Sequence, residues 1–130
     1  MTIGVFGVVF DNKQRVLLCH RKDCDLWNLP GGGLEKEEAP WEGAKREVKE
    51  ETGLDVEIGK ITGIYFKPKE NNLVLVFLCK VKSGEVRLND EADAIEYFDL
   101  KKLPANIVRK HIERIEDAFN SKGDIAMKIQ

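Results

Sequence analysis

Between Leu29 and Gly53 the chain carries its own punctuation, and that punctuation limits what it can fold into. Leu26-Trp27-Asn28-Leu29 reads as a short strand, and Pro30 followed by Gly31, Gly32 and Gly33 ends it: proline lacks a ladder donor, and glycine gives up side-chain packing for backbone freedom. Pro40 suits the first turn of a helix, and Glu37 and Glu38 precede it where negative charge meets the positive end of the helix dipole. Gly53 supplies the stop. The spacing predicts a glycine loop that runs into a helix from near Pro40.

Strand patterns flank this unit. Ile3 to Phe10 is rich in Val, Ile and Phe, pauses at Asp11-Asn12-Lys13-Gln14 and resumes from Arg15 to His20, which predicts a hairpin. Leu54 to Phe66 holds one or two strands, Lys67 to Asn72 is a polar turn, and Leu73 to Val81 is a buried strand closed by Ser83-Gly84. Glu85 to Leu88 reads as a weak strand, Asn89 to Ala94 as an acidic loop, and Ile95 to Leu100 as another short strand. A second helix is expected from about Ile107 to Phe119, with Val108, Ile112, Ile115 and Phe119 on one face. Asp124 to Gln130 reads either as a frayed tail or as a short packed segment. Strands outnumber helices, so the expected class is α+β or α/β, a mixed sheet between helices, with residues 1–130 forming one domain.

Charge and composition narrow the partners. With 21 basic and 23 acidic side chains the formal net charge is −2, which gives no field to recruit a nucleic-acid polymer. The longest apolar run, Leu73 to Cys79, falls far short of the roughly 20 residues a bilayer requires. The opening Met1 to Phe6 has neither the basic start nor the small-residue cleavage site of a secretory signal, so the cytoplasm is the expected location. Cys19, Cys24 and Cys79 make no even set and no CxxC pair, and are expected as free thiols. His20 and His111 lie too far apart for a zinc-ligand spacing.

The segment Glu47-Val48-Lys49-Glu50-Glu51-Thr52-Gly53 needs a separate explanation. On a helical wheel of about 100° per residue, Trp41, Ala44 and Val48 form the apolar stripe and Glu47 and Glu51 flank it, with Glu50 further round. Lys45 and Lys49 fall on the other flank, so Arg46 alone approaches the acids. Like charges three and four apart destabilise a helix by roughly 0.2–0.5 kcal/mol per pair. A solvated acidic face is one explanation. The other is a hard divalent cation, which takes carboxylate, carbonyl and phosphate oxygens.

Spacing over a longer range favours the cation. Gly32, Glu38, Arg46, Glu47, Val48, Glu50, Glu51, Gly53 and Leu54 fill every specified position of a pattern that resembles the Nudix box, G-x5-E-x7-R-E-U-x-E-E-x-G-U with U aliphatic. The resemblance implies an α/β/α sandwich that hydrolyses a pyrophosphate bond in a nucleoside diphosphate joined to another moiety, with Mg²⁺ or Mn²⁺. It implies Glu50 and Glu51 as metal ligands, Glu47 as ligand or water-orienting group, the Gly31 carbonyl as a further ligand, Arg46 as the residue holding Glu47, and Glu38 as a brace for the loop. A carboxylate from outside the box is also usual in this family. Glu91 is the first choice for it and Glu96 the second.

The glycine triplet lacks the Gly-Lys-Ser/Thr of a phosphate loop and the G-x-G-x-x-G of dinucleotide folds. The alternative to a hydrolase is a Nudix-like module that only binds a nucleotide. Such modules can lose box glutamates, and this chain keeps them. The sequence leaves the substrate open among nucleoside triphosphates, oxidised nucleotides, ADP-ribose and similar nucleotide sugars; Pro68 lies about where a proline accompanies some ADP-ribose-cleaving members. Phe6, Tyr65, Phe66 and Phe77 are the aromatic residues available to stack on a base, and no substrate-binding residue is assigned. Homodimers are frequent in the family, and no exposed apolar segment here demands one.

Overall fold

The computed structural model describes residues 1–130, in the order β1 (Thr2–Val9), β2 (Val16–Arg21), β3 (Trp27–Asn28), β4 (Gly31–Gly33), α1 (Pro40–Thr52), β5 (Leu54–Lys67), β6 (Asn72–Gly84), β7 (Ala92–Phe98), α2 (Arg109–Phe119) and β8 (Ala126–Ile129). A five-stranded mixed sheet runs β4-β1-β6-β5-β8, and a three-stranded antiparallel sheet runs β3-β2-β7. At the centre of the larger sheet β1 lies parallel to β6, Val5 opposite Leu75 and Val9 opposite Cys79.

Alternation along the strands assigns side chains to two cores. Val5, Val9, Leu17, Phe77 and Cys79 pack with Ala44 and Val48 of α1 on one side. Val8, Val16, Leu18, Val74 and Val76 pack with Ile115 and Ala118 of α2 on the other. The mixed sheet therefore lies between two helices, as expected. Cys19 and Cys79 are buried free thiols and Cys24 is a partly exposed one.

The hairpin expected of β1 and β2 does not form. Asp11 does fold the turn, accepting the Lys13 and Arg15 backbone N–H groups at 2.9 Å each and the Arg15 guanidinium at 2.7 Å. Beyond the single Phe10 to Val16 bridge the strands part. Both edges of β1 are taken, by β4 and β6, so β2 pairs with β3 and β7 instead. The glycine triplet, expected as a loop, is the edge strand β4, in register with β1 from Gly4 to Phe6. Gly31 cannot be replaced there without collision, because a Cβ would stand 2.2 Å from the Phe6 ring and 2.4 Å from the Val5 carbonyl.

Three further expectations change. Residues 85–89 form no strand; Arg87 N–H donates to the Thr52 carbonyl at 2.8 Å, so this segment runs along the end of α1. β7 begins at Ala92, inside the expected acidic loop. Of the two readings of the C-terminal residues the packed segment holds: residues 126–129 form β8, parallel to β5 from Gly63 to Phe66. On α2 the buried residues are His111, Arg114, Ile115 and Ala118, while Phe119 is 44% exposed. The inward face is thus rotated from the expected one and carries two polar side chains.

Candidate active site

Helix α1 sets the site. It seats Gly43, Ala44, Val48 and Thr52 against the sheet, whereas Trp41, expected in the apolar stripe, is 58% exposed. Gly53 ends the helix in the left-handed region at φ 83°, its N–H donating to the Lys49 carbonyl. With Val48 locked inward, the flank bearing Glu47 and Glu51 is turned toward β4. Gly31 N–H donates to Glu51 Oε2. A Cβ at Gly32 would stand 2.9 Å from the Glu47 carboxyl. The glycine strand is the floor on which these two carboxylates rest.

Arg46 gathers the acids around it. Its Nε donates to Glu38 Oε2 at 2.7 Å and its Nη2 to Glu38 Oε1 at 3.0 Å, a two-pronged pair. Nη1 donates to Glu47 Oε1 at 2.9 Å and to Glu50 Oε2 at 3.1 Å, and Nη2 reaches the Gly33 carbonyl at 3.2 Å. Glu38 also accepts the Glu35 N–H, which closes the loop ahead of the helix. The guanidinium holds the Glu38 carboxyl below its ordinary range. The sequence motif thus corresponds to one connected network from β4 through the loop to α1.

Burial works in the opposite direction on the inner acids. Desolvation pushes Glu47 up, offset in part by Arg46, with Glu50 and Glu91 raising it further. Glu51 is pushed up to about 8, chiefly by burial and then by the charges of Glu47, Glu91 and Glu50, against the lowering effect of the Gly31 N–H. Carboxylates raised in this way by burial and by one another are characteristic of sites built to hold positive charge. No three His, Cys, Asp or Glu side chains form a ready ligand cage; Arg46 engages Glu47 and Glu50, and Gly31 engages Glu51.

Glu51, Gly31, Gly32 and Glu91 line one open cleft of about 590 Å³, together with Cys19, Arg21, Lys22 and Asn28. Glu96 lies on β7 opposite Leu18, is exposed, and does not line it. Asn89, which the sequence did not single out, connects the parts: its Nδ2 donates to the Glu51 carbonyl at 2.7 Å, and its Oδ1 accepts the Glu91 and Ala92 N–H groups at 2.9 and 3.0 Å. An asparagine in a turn is too ordinary a signal to have marked it. Of the aromatic residues, Tyr65 and Phe77 are buried in the cores, and Phe6 packs T-shaped with His111 and has Arg114 over its ring. None of these three offers a free face to a base.

A family model described as the NUDIX domain matches residues 1–118. The chain belongs to the Nudix family. A MutT-like protein from Streptomyces ambofaciens is 35% identical over 94% of this chain and 79% of its own length. An ADP-ribose pyrophosphatase from Methanocaldococcus jannaschii is 34% identical over 93% of this chain and 75% of its own. The crystal structure of an ADP-ribose pyrophosphatase from Streptococcus suis superimposes with a TM-score of 0.81 at 27% identity, covering 99% of this chain and 98% of that one. The protein is a Nudix hydrolase, of a family that acts on nucleotide derivatives. Glu38, Arg46, Glu47, Glu50 and Glu51 are its Nudix-box acids and arginine.

Proposed function

We propose that this Nudix hydrolase cleaves the pyrophosphate bond of a nucleoside diphosphate derivative with Mg²⁺ or Mn²⁺ bound at the end of α1. The observation that carries the reading is the convergence of Glu51, Glu91 and the Gly31–Gly32 backbone on one cleft, with Glu47 packed against Gly32. The donors are all hard oxygens, which fits Mg²⁺ and Mn²⁺. Glu50 and Glu51 would be side-chain ligands, the Gly31 carbonyl a further one, and Glu47 either a ligand or the group that orients the attacking water. Pro30 O accepts from Gly7 of β1, so the next peptide group, Gly31 N–H, and the Gly31 carbonyl beyond it face away from β1 toward α1.

A divalent ion held there would supply charge neutralisation at the phosphate oxygens and a more acidic water. The protein's own groups supply the rest. Arg46 fixes the Glu47 carboxylate and balances its charge, so that Glu47 can accept or orient a proton of the attacking water. Glu91 is the acid from outside the box, held by Asn89 across the cleft from Glu51. Arg21 and Lys22 line the same cleft, where they can bind phosphate oxygens.

The test is product analysis on a panel of nucleoside triphosphates, oxidised nucleotides, ADP-ribose and nucleotide sugars, with and without Mg²⁺ or Mn²⁺. Metal-dependent release of a nucleoside monophosphate product is expected, and Glu51→Gln should lower kcat/KM on the order of 10²–10⁴-fold with the fold intact. Full activity of Glu51→Gln would remove the assignment.

A further inference from the structure

Beside the catalytic cleft, and sharing Phe6, Gly32, Lys67, Val108 and His111 with it, is a second recess of about 260 Å³. It reaches to Lys110 and Arg114, and neither an aspartate nor a glutamate lines it. Arg114 is only 2% exposed, yet it has no carboxylate partner. Its carbon centre lies 5.1 Å from the Phe6 ring centroid and 5.6 Å from that of Tyr65. Its Nε donates to Gln130 Oε1 at 3.0 Å, and neither Nη nitrogen makes a hydrogen bond. Lys67 and Lys110 are likewise in no ion pair, although the chain carries 23 acids. A buried guanidinium has a high desolvation cost unless an anion meets it.

We propose that this recess is an oxyanion subsite, taking a phosphate monoester or a carboxylate that is not part of the cleaved diphosphate. In the form where that group is carried by the substrate, the proposal rests on the hydrolase reading above. Three observations favour an anion over a nucleobase. The lining donates: Lys67, Lys110 and the Arg114 Nη groups are all donors without acceptors. The Phe6 face that could stack on a base is covered by Arg114. His111 adds a neutral donor, because the Leu29 N–H occupies Nδ1 at 2.9 Å and leaves the ring proton on Nε2. Burial and the charges of Arg114 and Lys67 push His111 down to about 3, so the ring stays neutral at any working pH. Arg114, pushed down by burial to about 10, remains charged at neutral pH.

Inorganic phosphate titrated into the full chain without divalent metal, followed by amide NMR shifts and calorimetry, tests the subsite without requiring turnover. Saturable binding is expected, with shifts at Lys67, Lys110 and Arg114. It should weaken by about ten-fold or more in Lys67→Ala/Lys110→Ala, which changes partly exposed side chains and spares the buried Arg114, whereas the shifts at Lys110 and Arg114, which line the recess alone, should titrate with the same midpoint in Arg21→Ala of the neighbouring cleft. No saturable binding, equal affinity in the double variant, or binding of uncharged guanosine instead would overturn the proposal. The source of the anion is then read from UDP-glucuronate against UDP-glucose. A preference for the carboxylate-bearing compound that disappears in the double variant assigns the anion to the substrate. Phosphate binding with no such preference assigns the recess to a free anion. Because the first measurement uses neither metal nor hydrolysis, its failure leaves the catalytic assignment standing, and failure of catalysis leaves the subsite standing.

Discussion

At the scale of single residues, the site depends on an absence of atoms at Gly32. A methyl group there would meet both oxygens of Glu47 at 2.9 Å, so the carboxylate would have to shift and disturb its hydrogen bond to Arg46. Gly32→Ala is therefore expected to turn the Glu47 carboxylate out of position and lower kcat/KM by about 100-fold, the order found for displacement of a reacting group by an ångström. Its melting temperature should change far less, since β4 is an edge strand with a partner on one side only. Steady-state kinetics beside a thermal melt checks both parts. Arg114 is the opposite case. A hydrophobic wheel sorts residues by polarity, and it places an arginine outside; only the assembled molecule brings Phe6, Tyr65 and Gln130 around the guanidinium. That is why the outward rotation of Phe119 and the inward position of His111 and Arg114 could not be read from the chain.

At the scale of elements, legibility follows how local the determinants are. Helix α1 was legible because both ends are written in adjacent residues, Pro40 at its start and Gly53 in the left-handed region at its end. The buried strand at Leu73 to Val81 was legible because its apolar run is continuous, as a central strand requires. β4 was not, because glycine has no strand preference of its own and the ladder that makes it a strand comes from distant β1. The same holds for β8, whose Met127 and Ile129 are 78% and 77% exposed and which exists by pairing with the edge of β5. The acids on α1 were found from the sequence, while the device that aligns them with Glu91 was not. Asn89 joins the carbonyl of Glu51 to the N–H groups of Glu91 and Ala92. Asn89→Ala should free that loop, raising hydrogen exchange at Glu91 and Ala92 and lowering kcat/KM by about 10-fold. Unchanged exchange in the variant would count against Asn89 as the link.

At the scale of the whole molecule, the small sheet is tied at its open end by His20. Its Nδ1 meets Asp93 and its Nε2 meets Asp25, each at 2.6 Å, and Asp25 also accepts from Asn106 at 2.9 Å. The hydrogen bond to Asp25, then that to Asp93, holds His20 above its ordinary value, so the folded state binds the proton more tightly than the unfolded chain does. The stabilisation is complete below the unfolded value of about 6.5 and is lost as the pH rises through the higher folded value. Urea midpoints measured from about pH 5.5 to about pH 9 should therefore fall in the wild type relative to His20→Asn, with the two converging at the alkaline end.

The central parallel pair also has a consequence for how the chain reaches this structure. Val5 of β1 finds its partner in Leu75, and Val9 in Cys79, so the innermost ladder cannot close until the loop between them has been drawn together. A ribosome delivers β1 first and β6 much later. Until then β1 has only the three-residue β4 to pair with and its other edge stays open, and high contact order rather than low stability is expected to set the rate at which this hydrolase becomes native.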